Sequence, residues 1–377
     1  AIKAVSASDS AVDVITVGER LALDTGRDWL AVLTDLYNGV GSSVNVRAYA
    51  DAIKHAANCR RAKAIGEFLV ENARKDGVIG DAIQQLMEIG RNRAAAEYDL
   101  KQVMKLAVQE VEKAFQNQGK IVGVSTGLTD LDDLIGGYHK GDLIIIGARP
   151  AMGKTAVMLN QIIGAKCSVG CISGEQGVAQ IGQRMLAMTG RVSLMSMRNG
   201  RMQQADWPKL EAGAGLLKNH PNIKFNDRPA PTMSEIESCA RRWKYENDIK
   251  ALYVDYLQRI KRDPKKPKHE AVGDNAARLK ELARELDIPV IALAQVSRDA
   301  DGRRPGMADL SDSSEIEKEA DLIELLYRDK DADGPNAGII EFIIDKNRHG
   351  ATGTVVSAWD ARFLRVADLA EQREGYR

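Results

Sequence analysis

The stretch Leu-Ile-Ile-Ile-Gly-Ala-Arg-Pro-Ala-Met-Gly-Lys-Thr, residues 143–155, limits the possible folds more than any other part of the chain. Four apolar residues, Leu143 to Ile146, read as a buried strand. A tight turn follows through Gly147–Gly153, and Lys154-Thr155 opens a helix carrying Val157, Met158, Leu159, Ile162 and Ile163. Strand, glycine turn and helix start together form a phosphate cradle. Backbone N–H groups ring the phosphates, and the helix N-terminus adds positive potential. Ala148, Arg149, Pro150, Ala151, Met152, Gly153, Lys154, Thr155 and Ala156 are therefore the candidate nucleotide-binding residues. Within them Lys154 reaches the β/γ oxygens and Thr155 holds Mg²⁺. The first glycine of the pattern G-x-x-x-x-G-K-[ST] falls on Ala148, so φ must stay negative there.

A chain of 377 residues is long enough for two domains and a sizeable core. Its 53 basic and 53 acidic residues balance, so any polyanionic partner must be met by local patches. Cys167 and Cys171 have no second pair or histidines near them, which favours buried thiols over zinc. No run approaches the ~18 apolar residues of a membrane span, and no signal peptide is visible. The expectation is a soluble protein of a reducing compartment. The start at Ala1 instead of Met suggests a sequence beginning inside a longer one.

Residues 1–97 read as an all-helical interaction domain. Thr16-Val-Gly-Glu19 is a capping box, and Trp29, Leu30, Leu33 and Leu36 recur at helical spacing. Longer helical patterns run from about Val46 to Ala73 and from Asp81 through Ile89, with His55 alone on a helix face. Residues 98–123 form a linker helix and linker. The narrow stripe Leu100, Val103, Met104, Ala107, Val111, Ala114 and Phe115 suits docking on a neighbouring subunit. Residues 124–377 alternate strands with helices. Strands are expected at 143–147, 169–173, 222–226, 249–254, 288–294, 321–327, 338–345 and 354–359. Helices are expected at 156–166, 178–190, 233–246 and 273–287. Continuous apolar strands imply an α/β fold, a mostly parallel sheet with helices on both faces. The last two strands should pair as an antiparallel edge.

A cradle alone does not hydrolyse a nucleotide; it needs a second Mg²⁺ anchor and a group that orients water. Ala251-Leu-Tyr-Val-Asp255 is an apolar strand ending in the right carboxylate for that anchor. Glu175, after the strand Val169–Ser173, is placed to take a proton from water, although an ordinary surface glutamate reads equally well. Gln295 ends another apolar strand, with its amide where a γ-phosphate could be sensed.

Five segments, 147–155, Val254-Asp-Tyr-Leu-Gln258, 289–295, 316–323 and Ile343-Ile-Asp-Lys-Asn-Arg-His-Gly350, closely resemble the DnaB-type replicative DNA helicases. Ser125–Asp132 and Gly136–Asp142 match that family's entry into its motor domain, and residues 13–65 resemble later helices of its N-terminal domain. The resemblance implies a RecA-like P-loop NTPase core behind an all-α N-terminal domain, using ATP and Mg²⁺. It implies Lys154 and Thr155 on phosphate and Mg²⁺, Asp255 as second carboxylate, Glu175 as base and Gln295 as the coupling residue. Lys346 and Arg348 match the family's trans-acting pair, which reaches the phosphates held by the next subunit. Arg348 is expected on an outward-pointing hairpin tip at the sheet edge. Gly174 stands where the family usually has a larger apolar residue.

Two loops are the candidate DNA contacts. Arg262, Lys265, Lys266 and Lys268 crowd a proline-stiffened loop just after the Asp255 strand, where a ring would face its channel. The second loop offers Ser311, Asp312 and Ser314 where the family commonly has Arg-Glu-Ser-Gly, so the arginine contact is absent. The resemblance implies a homohexamer on single-stranded or forked DNA, moving 5′ to 3′ and unwinding duplex. It also implies primase and loader partners, no membrane, and the cytoplasm of a bacterium or a phage-infected host. The alternatives are a recombinase- or clock-type ring ATPase and a nucleotide-gated DNA clamp.

Overall fold

The computed structural model describes residues 46–72, 78, 82, 85–86, 98–116, 121–261, 266–310, 313–329 and 338–369. The expected capping box at Thr16, the Trp29 stripe, the side chain of His55 and most of the pattern 81–89 lie outside them. Chain contacts divide the protein into Ala1–Lys105 and Leu106–Arg377. In the first unit α1 (Val46–Asn72) occupies the stretch its apolar spacing marked, and Ile65 is buried. The boundary falls inside α2 (Leu100–Gln116). Leu100, Val103, Met104, Val111 and Phe115 of its stripe are all exposed.

The second unit is built on a nine-stranded sheet in the order β3-β2-β4-β5-β1-β6-β7-β8-β9. The strands are β1 (Leu143–Ala148), β2 (Val169–Ser173), β3 (Ile223–Asn226), β4 (Ala251–Asp255), β5 (Val290–Gln295), β6 (Leu322–Tyr327), β7 (Ile339–Asn347), β8 (Gly353–Asp360) and β9 (Arg365–Asp368). The first six run parallel, and the last three continue antiparallel. All six residues of β1 are buried. Ile144 and Ile146 enter one core with α3 (Thr129–Ile135), α4 (Lys154–Gly164) and α5 (Val178–Gly190). Leu143 and Ile145 enter the other. Two-sided burial explains the unbroken apolar runs, because a strand covered by helices on both faces has no solvent side.

Between β2 and β3 in sequence lie two helices without a sequence expectation, α6 (Leu194–Arg198) and α7 (Trp207–Lys218). Gly213 and Gly215 weaken the helical pattern of α7. Gly213 is required by packing, since a Cβ there would meet the backbone nitrogen of Gly190 at 2.6 Å. The second core is covered by α8 (Met233–Asn247), α9 (Lys268–Leu286) and α10 (Ser313–Glu319), where Ile236, Leu279 and Ile316 are fully buried.

One expectation is corrected by the sheet order. β7 and β8 pair antiparallel, but they are interior strands, with β6 outside one and β9 outside the other. Arg348, just past β7, therefore does not project from a free edge. Its backbone N–H donates to the carbonyl of Asp321 at 3.0 Å, which folds it back against the start of β6.

Glu324, in the middle of β6, is 0% exposed within the apolar core. Its carboxyl accepts from the Tyr138 hydroxyl at 2.8 Å and from Gln161 Nε2 at 3.3 Å. Burial outweighs these bonds and pushes its pKa up to about 7. A raised acid destabilises the folded state as it ionises, so stability falls as pH climbs from the ordinary carboxylate range to about 7 and then levels off. Glu324→Gln should raise the denaturant midpoint at pH 8, by roughly 3 kcal/mol in unfolding free energy. The gain should vanish at pH 4, a pattern that paired urea melts followed by tryptophan fluorescence would reveal.

Candidate functional site

The cradle lies at the C-terminal end of β1, where the sheet also presents the ends of β4 and β5. Parallel pairing sets Ala148 directly opposite Gln295, so strand register alone brings the cradle and the expected sensor together. Ala148 stays in the strand with φ below zero, as its Cβ requires. The left-handed residues of the turn are Ala151 at φ 65° and Gly153 at φ 98°. Gly153 has a second constraint: a Cβ there would come within 2.9 Å of the Trp359 ring. α4 begins at the next residue and aims its N-terminus into the turn.

A cavity of about 560 Å³ opens there, lined by Lys154, Thr155, Glu175, Gln295 and most of the cradle. Met152 is the exception; its side chain is buried in the core. Arg149 also turns inward, donating to the Val296 carbonyl at 3.3 Å and lying 3.6 Å from Asp301. Lys154 donates to the Ala294 carbonyl at 3.3 Å and sits 4.5 Å over the Tyr256 ring. Burial pushes its ammonium pKa down, opposed by the charges of Asp255 and Glu175. Asp255 moves the other way, raised by burial and held back by Lys154 and by its bond from Thr155.

The Thr155 hydroxyl donates to Asp255 Oδ2 at 3.1 Å, while Oδ1 of the same carboxylate is buried with no partner. A hydroxyl and a half-satisfied carboxylate make an oxygen donor set suited to Mg²⁺. Among the described residues no three His, Cys, Asp or Glu side chains converge on a metal position. An ion here would need phosphate and water oxygens to complete its shell, as Mg²⁺ sites on nucleotides do.

Glu175 is exposed and lines the cavity, where its charge acts on Lys154 and Arg184. The turn carrying it is fixed on both sides. Gly174 N–H donates to the Asp255 carbonyl at 2.7 Å, and Ser173 Oγ both accepts from Gln176 N and donates to Gln176 O. A Cβ at Gly174 would meet Pro231 Cδ at 3.4 Å, an ordinary contact, so there is room for the first carbon of a side chain.

Sequence reasoning missed several lining residues. Arg184 of α5 reaches the cavity with its Nε shielded from solvent and unpartnered, its charge disfavoured by burial and by Arg198. Arg328 stacks on the Trp359 ring at 4.5 Å, and both line the far wall. No local motif marks these residues, because they arrive from α5, the residue after β6, and β8 through the tertiary fold.

Lys346 and Arg348 lie elsewhere. Lys346 pairs in register with Ile323 and donates to the Glu317 carbonyl; burial and Arg348 push its pKa down. Arg348 Nη1 donates to Asp321 Oδ1 at 2.9 Å, and Asp321 N–H donates to the Leu143 carbonyl at 2.9 Å. Arg348 is thus level with the start of β1, whereas Lys346, through Ile323, is level with Ile145 in the middle of the strand. At about 3.3 Å per residue the strand separates Arg348 from its own cradle by roughly 17 Å and Lys346 by roughly 10 Å.

Of the candidate DNA contacts, Arg262, Lys265, Ser311, Asp312 and the side chain of Lys268 lie outside the described residues. Lys266 pairs with Asp274, and Ser314 is exposed near the start of α10.

A family model for the DnaB-like helicase C-terminal domain matches residues 123–368. The replicative DNA helicase DnaC of Bacillus subtilis (strain 168) is 35% identical over 95% of this chain and 83% of its own length. The replicative DNA helicase DnaB of Geobacillus stearothermophilus is 33% identical over the same shares. Among solved structures, a DnaB-like replicative helicase described with its interactions with primase superposes with a TM-score of 0.68 at 29% identity. It covers 97% of this chain and 90% of its own. A solved structure of an ATPase domain gives the same TM-score at 32% identity, over 73% of this chain and all of its own.

The cavity separates binding from chemistry by residue. Lys154→Ala should cost nucleotide affinity, since it removes the buried ammonium at the head of α4. Glu175→Gln should bind ATP as tightly as the parent and turn over on the order of 10²–10⁴ times more slowly. Equilibrium binding of a fluorescent ATP analogue beside steady-state ATPase checks both. Wild-type turnover by Glu175→Gln would remove it from the mechanism.

Proposed function

The chain belongs to the DnaB-like replicative DNA helicases, and on that premise we propose that six copies form a ring driven by ATP and Mg²⁺. The ring translocates 5′ to 3′ on single-stranded DNA and unwinds duplex at the fork. In each copy Lys154 and the amides of 148–156 bind the polyphosphate, while Thr155 and Asp255 anchor Mg²⁺, which neutralises charge on the phosphoryl oxygens. Glu175 accepts a proton from the attacking water, and Gln295 at the end of β5 relays nucleotide state along the strand toward the DNA loops. Arg348, with Lys346, serves the phosphates bound by the adjacent copy.

The observation that carries this reading is the position of Arg348. A forked, permanent cation is suited to two phosphoryl oxygens, yet it is held at the opposite end of β1 from its own cradle. It can act on a nucleotide only when a second copy brings one to it. The exposed stripe of α2 supports assembly by docking on a neighbour. Residues 98–123 act as the linker between an interaction domain, 1–97, and the motor, 124–377. We assign the DNA path to the loops holding Arg262, Lys265, Lys266 and Lys268, and Ser311, Asp312 and Ser314. Because the second loop lacks an arginine, its backbone amides or Ser311 supply the phosphate contact. Primase and a loader are the proposed partners, met in the bacterial cytoplasm or in a phage-infected cell.

Strand separation on defined forks tests the function. Forks with a 5′ tail should be unwound in the presence of ATP and Mg²⁺, whereas substrates with only a 3′ tail should stay intact. Lys154→Ala should abolish the reaction. DNA-stimulated ATPase without any strand separation would favour a remodelling ATPase, and nucleotide-dependent retention on DNA alone would favour a clamp.

A further inference from the structure

Asp321 precedes β6 and is 2% exposed. Its Oδ2 accepts the Leu143 N–H at 2.8 Å and pairs with Lys280, which is itself buried and donates to the Gly141 carbonyl at 2.8 Å. The charge of Asp321 is therefore met from inside the protein, and its carboxylate plane cannot swing. The remaining oxygen, Oδ1, accepts from Arg348 Nη1 at 2.9 Å. Nη2 of the same guanidinium donates to the Lys318 carbonyl at 3.3 Å, and the Arg348 side chain is still 45% exposed. A guanidinium carries five N–H donors, of which these bonds use two. The other three stay available on a side chain whose position is already set. The next residue, His349, is tied separately, with Nε2 2.7 Å from Asp142 Oδ2. Lys280 joins the two carboxylates.

We propose that Asp321 is the positioning residue for the arginine that completes the neighbouring copy's active site. It fixes the plane and reach of Arg348 before a nucleotide arrives. An unrestrained arginine has large rotamer freedom that must be lost on docking, and a pre-placed one has already lost it. Asp321 touches neither nucleotide nor water; it acts through Arg348. The inference rests on the reading of Arg348 as a group acting across the subunit boundary.

The test is ATPase of mixed rings. Asp321→Asn should bind ATP within about twofold of the parent and still assemble. Its kcat should fall on the order of 10- to 100-fold, the usual effect of an ångström-scale misplacement. Lys154→Ala subunits carry an intact Asp321 and Arg348, so mixing them with Asp321→Asn subunits should restore activity that neither has alone. Mixing Asp321→Asn with Arg348→Ala should restore none. Asp142→Asn removes the network's other carboxylate without touching Arg348 and should keep kcat within about twofold. If Asp321→Asn does not fold, Asp321→Glu keeps the charge facing Lys280 and should show the same complementation pattern. Rescue of Arg348→Ala but not of the Asp321 variant by Lys154→Ala subunits would overturn the positioning role while leaving the shared site standing. So would an equal kcat loss in Asp142→Asn. Failure to rescue either, in rings shown to contain both subunits, would overturn the shared site and the positioning role with it.

Discussion

The hydrogen-bonded run of β1 is the constraint on which the other features depend. Its six residues are buried on both faces and paired on both sides, with β5 and with β6, so the strand can neither bend nor slide. Its C-terminal end carries the phosphate cradle, and its N-terminal end carries the Leu143 contacts that hold Asp321 and, through it, Arg348. A rigid spacer of roughly 17 Å keeps the fork of positive charge away from the phosphates that the same copy binds. If Arg348 serves a neighbour, as proposed, turnover should depend on assembly, because a lone subunit would lack the group that meets the transition-state charge.

The cavity itself is poised electrostatically. Burial lowers the pKa of Lys154 and raises that of Asp255, so each ionised group is held at a cost that a ligand can relieve. A polyphosphate would add negative charge beside Lys154 and Arg184, which burial disfavours, and a divalent ion would meet the unpartnered Asp255 Oδ1. Neither ligand alone satisfies both sets. Nucleotide and metal should therefore bind together more tightly than either does by itself.

The sequence disclosed the parts of this arrangement that follow from local chemistry. The cradle, the apolar strands ending at Asp255 and Gln295, and the helices 178–190 and 233–247 are legible because a buried parallel strand and an amphipathic helix impose their own periods. Short elements were not. α3, α6, α10 and β9 are four to seven residues long, too few to show a period, and α7 is masked by two glycines, one of which packing demands. The side chains of Arg184, Arg328 and Trp359 reach the cavity through tertiary contacts that no spacing encodes. Arg348 shows the limit most clearly: its residue type and motif were readable, but its setting was not. A hairpin tip was expected at an edge. The added strand β9 and the pairing of β6 with β7 put it instead against Asp321, which is 27 residues away in sequence.

If no single copy holds a complete catalytic site, as proposed, ATP turnover per subunit will depend on concentration, which a dilution series with assembly followed by sedimentation measures. Turnover should track the fraction of subunits in rings and approach zero once the protein is monomeric, although monomers should still bind nucleotide through the intact cradle. Monomers that hydrolyse ATP as fast as rings do would mean that one copy holds a complete catalytic site.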